Sequence, residues 1–314
     1  MKHLATPEFD RIAKAFGWDK DPARIGDDAA VLPGRLLFCC DALAEDVHFR
    51  WDWSTPADVG WKAVAQNVAD ILAMGGLPTQ AVWSVGMGRD WSDTHFAGLA
   101  KGAKAACKAY GCELVGGDTV RCLGPGFVSL SLLGRQKSPK PWGRSCAKPG
   151  DVLLLAGQPG LSAAGLEALS LPKTRHSSFR KAIALHRRPQ PPFPACQALF
   201  DRPIHAAIDL SDGLSSDAGH LSAASGVRLV FDRTALEPAS VLTKTARALG
   251  KADPWDWVLH GGEDHAILAA ASPVVLNDLP VGVRVVGRVE EGTGVWLEVD
   301  GKRRRMPPLG WIHA

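Results

Sequence analysis

The chain has 314 residues, with 36 Lys plus Arg against 33 Asp plus Glu and a formal net charge of +3. That balance excludes a nucleic-acid binder acting through bulk charge, and 46% apolar with 22% charged residues exclude a disordered, collagen-like or coiled-coil chain. No apolar run approaches the ~18 residues of a membrane helix, and the opening MKHLATPEFDRIAKAFGW carries charge where a signal peptide is apolar, so a cytoplasmic protein with no membrane or nucleic-acid partner is expected.

At roughly 150 residues per domain the length suits two domains. Apolar runs predict strands over 35–40, 81–87 and 127–133. Between the first two lies a helix with clear signals: Thr55 as N-cap, Pro56 at the first helical position, Asp58 near the positive end, and Gly75-Gly76 as the stop. Its core stripe is Val64, Val68 and Ile71. A second helix is expected over 91–108. The Pro- and Lys-rich stretch over 136–150 then marks a domain boundary, dividing the chain into 1–137 and 138–314. Strands are expected over 151–155, 206–210, 227–231, 265–269 and 283–289, with helices over 162–169 and 214–224. The basic run 302–305 reads as a solvated turn. Seven cysteines, an odd number without a CxxC pair or zinc-type spacing, read as free and mostly buried thiols.

The informative feature is where the carboxylates fall. Asp27 and Asp28 follow glycine in IGDDAAVL, Asp41 closes LLFCCD, Asp118 lies in LVGGDTVR, Asp209 and Asp212 in AIDLSDGL, and Glu263 with Asp264 in HGGEDHAIL. One acidic turn is commonplace, because Asp and Gly both favour turns; repetition at five or more places is not. Asp70 sits near the C-terminus of the Pro56 helix, where the dipole disfavours a carboxylate. Lys62, Gln66 and Asp70 form a polar strip there, with Asn67 adjacent, which either faces solvent or lines a site.

If the carboxylates converge, each pair ~4 Å apart repels by about 4 kcal/mol at an effective dielectric near 20, so cations or protons must be present. Oxygen-only ligands suit magnesium or manganese, and magnesium held by few carboxylates commonly also holds substrate phosphates. There is no GxxxxGK[ST], no GxGxxG after a strand and no HRD or DFG set. The Gly-rich segment 157–165 offers a weak candidate for a phosphate cradle at a helix start.

Read together, GDDAAVL, CDALAEDVHFR, NVADILAMGG, GGDTVR, GRSCAKPGD, IDLSDGLSSDAGH and GGEDHAIL resemble, in order and spacing, the thiamine-monophosphate kinase family within the aminoimidazole ribonucleotide synthetase superfamily. The resemblance runs from about Phe9 to Trp311. It implies an α/β fold of two domains with mixed sheets. The N-terminal one would bind metal and nucleotide and form a barrel with that of a second subunit, and the C-terminal one would complete the cleft. It also implies a homodimeric enzyme that transfers the γ-phosphoryl group of ATP to thiamine monophosphate, directly and in line. Residue by residue, Asp28, Asp41, Asp70, Asp118, Asp209 and Asp212 match the ligands of several magnesium ions. Gly117, Asp118, Arg144 and Ser211 match ATP contacts, with Asp41, Asp118 and Arg144 expected to act in catalysis. His48, Glu263 and Trp311 match acceptor contacts.

Departures are Cys39 and Cys40 where the family has Ser or Thr, His265 in place of Tyr, and the ending GWIHA. The Cys pair is expected to be a buried strand end. The competing readings are another ATP-using enzyme of the superfamily and a paralogue that binds nucleotide without turnover.

Overall fold

The computed structural model describes residues 11–12, 14–15 and 25–311. Most of the charged opening stretch and the ending beyond Trp311 lie outside the described residues.

The first half runs β1 (Ala30–Leu32), β2 (Leu36–Ala44), α1 (Pro56–Ala73), β3 (Gly76–Met87), α2 (Asp93–Tyr110), β4 (Glu113–Arg121) and β5 (Phe127–Gln136). Its five strands form one sheet in the order β1-β2-β5-β3-β4, antiparallel except for the parallel β3–β4 pair. The second half runs β6 (Val152–Ala156), α3 (Leu161–Leu169), α4 (Arg180–Arg187), α5 (Phe193–Gln197), β7 (Ile204–Asp209), α6 (Leu214–Ser225) and β8 (Arg228–Asp232). It continues with α7 (Ser240–Ala248), α8 (Trp255–His260), β9 (Ile267–Ala271), β10 (Val283–Glu290), β11 (Gly294–Val299) and β12 (Lys302–Arg305). These strands form a second mixed sheet, β12-β11-β8-β10-β6-β9-β7.

Helix α1 organises both halves. It starts at a reciprocal cap: the Thr55 hydroxyl accepts from the Asp58 N–H, and the Asp58 carboxylate accepts from the Thr55 N–H at 3.0 Å. It stops where Gly75 turns at φ 73°. Val64, Val68 and Ile71 are fully buried, as their spacing predicts. One flank packs on β2, β3 and β5, and another reaches β7 and β9. A single apolar cluster therefore runs from Leu37 and Val128 through Val64 and Val68 to Ala207 and Ile267. Between two sheets the helix has little solvent face, and fourteen of its eighteen residues are buried, including Lys62, Gln66 and Asn67. The polar strip therefore does not face open solvent.

Helix α2 crosses α1 at unusually short range. A Cβ on Gly60 would lie 2.0 Å from the Leu99 carbonyl oxygen, and one on Gly102 would lie 1.9 Å from that of Ala57. Only glycine permits this approach. At its N-terminal end α1 is tied to the segment after α4, through an Arg188–Asp58 ion pair and a hydrogen bond from the Trp61 indole to the Pro189 carbonyl at 2.9 Å.

Two expectations are corrected. The basic run is an edge strand, β12, whose Arg303 pairs with Glu290 and Glu298; it is exposed but not a turn. Of the seven thiols, all unpaired, only Cys39, Cys107 and Cys196 are buried, while Cys40 and Cys146 are exposed. Strand alternation separates the Cys pair: Cys39 lies beneath α1, and Cys40 points the other way, 3.5 Å from the Ser129 hydroxyl.

Gly102→Ala tests the helix crossing. Alanine favours a helix interior by about 1 kcal/mol, but overpacking against backbone costs about 1–3 kcal/mol. The variant is expected to unfold at lower denaturant concentration, with an unchanged slope.

Candidate active site

Three carboxylates from three segments meet at one point. Asp28 lies in the turn before β1, Asp70 in the last turn of α1, and Asp209 at the end of β7; one oxygen from each lies within 4.8 Å of the others. Asp28 pairs with Arg144 and accepts the Asp209 backbone N–H at 3.3 Å. The Arg144 N–H donates to Asp27 at 2.7 Å, and the His265 ring lies 3.2 Å from Asp209.

The electrostatics follow from this crowding. Burial pushes Asp28 up to about 7, with Arg144 opposing the rise and Asp209 adding to it. Burial also drives Asp70 well above the carboxylate range, reinforced by Asp41, Asp209 and Asp28. Burial would lower His265, but hydrogen bonding to Asp209 and its charge raise it instead. Oxygen donors on strand and helix ends, crowded enough to hold protons, fit a hard divalent cation such as magnesium. The Cys39 thiol borders the group beside Asp70, and burial with the Asp70 and Asp41 charges keeps it an un-ionised S–H.

Beside the carboxylates opens a cleft of about 610 Å³, whose walls include Asp41, His48, Arg144, Ser211, Asp212, Glu263 and Trp311. Those predicted positions are thus brought together. Asp28, Asp70 and Asp209 lie behind the wall, against Arg144 and His265, and Gly117 and Asp118 are not among the walls either. Asp41 stands in register with Leu130, Trp83 and Gly117, so Gly117 is three strand spacings away, about 14 Å. Asp118 pairs with the exposed Ser84 and so occupies the sheet face opposite Asp41.

The far wall is built around Glu263, held at φ 61° with its N–H donated to the Ser211 carbonyl at 2.7 Å. The Lys62 ammonium donates to Glu263 Oε1 at 2.9 Å, and His186 Nδ1 lies 3.5 Å from Oε2 and 2.9 Å from the Ser162 hydroxyl. Burial alone would raise Glu263, yet the charge and hydrogen bond of Lys62 hold it well below the usual carboxylate range. Burial and the Lys62 charge take His186 down to about 3, so the ring is neutral.

Sequence reasoning did not assign Lys62, His186 or Asp217 to the site. Asp217 accepts from the Asp212 and Gly213 N–H groups at 3.1 and 2.9 Å and so braces the 209–213 turn; its place in the first turn of α6 was the available signal. The proposed phosphate cradle is corrected. The N–H groups of Gly160 and Ser162 at the start of α3 already donate to the Asp264 carboxylate, so the chain supplies its own anion there. Burial lifts Asp264 to about 7 against those bonds.

Comparison with known proteins places this geometry. The family models of AIR synthase related protein match, the N-terminal domain over residues 26–136 and the C-terminal domain over 148–299. The thiamine-monophosphate kinase of Mycobacterium tuberculosis is 40% identical over 303 residues, covering 94% of this chain and 88% of that protein. The chain belongs to the thiamine-monophosphate kinase family. The kinase of Aquifex aeolicus is 36% identical over 293 residues, covering 92% of each chain, and its crystal structure matches with a TM-score of 0.84 at 32% identity, covering 95% of this chain and 96% of that one. The structure of AaThiL complexed with AMPPCP and TMP matches over 100% of both chains, with a TM-score of 0.85 at 32% identity. A chain of a HypE-HypF complex, at 18% identity and a TM-score of 0.76, shares the fold. The two mixed α/β sheets are thus the architecture that the motif resemblance implied.

A pH dependence follows. Asp28 and Asp264 stand at about 7 in the folded chain against about 3.9 unfolded, so the folded state holds more protons and loses stability as pH rises through 7. His186, depressed when folded, contributes nothing above its unfolded value of about 6.5. With EDTA present, the melting temperature is expected to fall between about pH 6.5 and 8. Added magnesium should stabilise more at the higher pH, where the carboxylates are ionised. A flat profile in EDTA would contradict the buried protonated carboxyls.

Proposed function

We propose that this protein phosphorylates thiamine monophosphate with ATP, giving thiamine diphosphate by direct in-line transfer. The observation that carries the proposal is the meeting of Asp28, Asp70 and Asp209 directly behind Arg144 and His265, which line a cleft that also presents an ionised Glu263. The relatives named thiamine-monophosphate kinase and the AaThiL complex with AMPPCP and TMP support it.

The roles divide by chemistry. Asp28, Asp41, Asp70, Asp209 and Asp212 are assigned as magnesium ligands, Arg144 and Ser211 as ATP contacts, and Asp41 and Arg144 to catalysis; Gly117, three strands from Asp41, and Asp118, on the opposite sheet face, do not reach this cleft within one chain. Bound magnesium supplies charge neutralisation, letting two phosphate groups approach that would otherwise repel. Arg144, fixed by Asp27 and Asp28, offers a positive charge at the cleft wall. His48, Glu263 and Trp311 receive the acceptor: the Glu263 carboxylate faces its cationic ring, and the Trp311 indole gives an aromatic surface. Because the acceptor oxygen belongs to a phosphate anion, no strong general base is needed.

The domains are taken as 1–137 and 138–314, and the enzyme as a homodimer of the cytoplasm, where unpaired thiols persist. The dimer rests on the open face of the first sheet. Phe38, Val82 and Val120 are exposed on the side away from α1, flanked by Leu32 and Val115 on the edge strands. Such a patch marks an interface, and Asp118 stands on the same face.

The deciding assay incubates the protein with ATP, magnesium and thiamine monophosphate and separates the products by chromatography. Thiamine diphosphate and ADP are expected in equal amounts; ADP formed without thiamine diphosphate would overturn the reading. Asp70→Asn is expected to lower kcat roughly a hundredfold or more, about 2.7 kcal/mol, without loss of folded protein by circular dichroism. On gel filtration the wild type is expected to elute at twice its 33.4 kDa chain mass, and Phe38→Asp as a monomer.

A further inference from the structure

Lys62 is a buried cation that none of the roles above uses. It projects from the second turn of α1, is 3% exposed, and does not reach the cleft wall. Its ammonium donates to Glu263 Oε1 at 2.9 Å and lies 3.5 Å from the His48 carbonyl oxygen. It thus touches two of the three positions assigned to the acceptor, one from each half of the chain.

Burying an ammonium is costly unless it is paired, so a structural explanation requires only some carboxylate. The partner here is more specific. Glu263 has a left-handed backbone, which persists only where its surroundings over-determine it, and its side chain is 30% exposed where that of Lys62 is 3%. The pair therefore lies with its cation inward and its carboxylate toward the cleft. Although neutral overall, it presents the negative end of a dipole to whatever binds. His186, near the second carboxylate oxygen and fixed by Ser162, completes the mount.

We infer that Lys62 is a positioning residue that selects a cationic acceptor, by holding the Glu263 carboxylate ionised and aimed into the cleft from behind. The inference rests on thiamine monophosphate being the acceptor. Without Lys62, the partly buried carboxyl, left with His186 and His265 as its neighbouring titratable groups, would keep its proton to higher pH and offer an O–H to a ring that needs an anion. The contacts shown for Lys62 are with Glu263 and His48, both assigned to the acceptor, so the effect is expected on the acceptor and not on ATP.

The test compares wild type, Lys62→Met, Glu263→Gln and the double variant as purified full-length enzymes, with KM for each substrate measured from about pH 6 to 8.5 and expressed relative to wild type at the same pH. In Lys62→Met the KM for thiamine monophosphate is expected to rise roughly tenfold at the acid end, a one-unit effect, and to return toward wild type as the carboxyl ionises at the alkaline end. KM for ATP should stay within about twofold, well under one pK unit. Glu263→Gln should raise the acceptor KM at every pH by a constant ratio. The double variant should match Glu263→Gln, because Lys62 acts only through the carboxylate.

A pH-independent rise in Lys62→Met, an equal rise in KM for ATP, or a double variant clearly worse than Glu263→Gln would overturn the inference. If Lys62→Met does not fold, the double variant, which leaves no acid for the lysine to hold, decides alone against Glu263→Gln. Failure of the underlying functional reading shows separately, as wild type that makes no thiamine diphosphate.

Discussion

Carboxylates brought from distant parts of the chain to one buried point dominate this molecule. Asp28, Asp70 and Asp209 lie close enough for their oxygens to share one ligand, and the positive groups shown against them are Arg144 and His265. Desolvation and mutual repulsion both oppose ionisation there. The polypeptide meets this by retaining protons, as the raised positions of Asp28 and Asp70 show. The folding free energy of the region is therefore linked to whatever cation enters it.

Helix α1 makes the convergence possible. Lying between the two sheets, it carries Asp70 to the acidic point and Lys62 to the Glu263 loop, two turns apart on one face. The cleft consequently has two chemically unlike ends fixed to one rod. One end is rich in oxygen and suits phosphate with metal. The other combines a carboxylate and a neutral imidazole, which suits an organic cation.

Much of this was legible beforehand because it depended on local rules. The Thr55 cap, the Gly75 stop and the Val64 stripe follow from propensity and periodicity, and the repeated acidic turns pointed to the cluster. What was not legible depended on tertiary placement. Strand β4 contains two adjacent glycines and an almost wholly exposed pattern, so it lacks the alternation by which strands are read. The start of α3 looked ready for phosphate until Asp264, about a hundred residues away, was found on its N–H groups. Lys62 belonged to a visible polar strip, but only the packing of a second sheet against α1 distinguishes a buried strip from a solvated one. Cys39 and Cys40 are neighbours in sequence and lie on opposite faces of the first sheet.

The glycine contact between α1 and α2 gives the cleft an unexpected dependency. Gly60 of α1 and Gly102 of α2 meet on the side of α1 away from Lys62, yet they set how deeply the helix is seated. A methyl group at either position would push the rod as a whole, displacing both ends of the cleft in the same direction. The two helices thus act as a gauge block: sequence drift at a pair of unremarkable backbone contacts would register as a change in metal requirement and acceptor choice together.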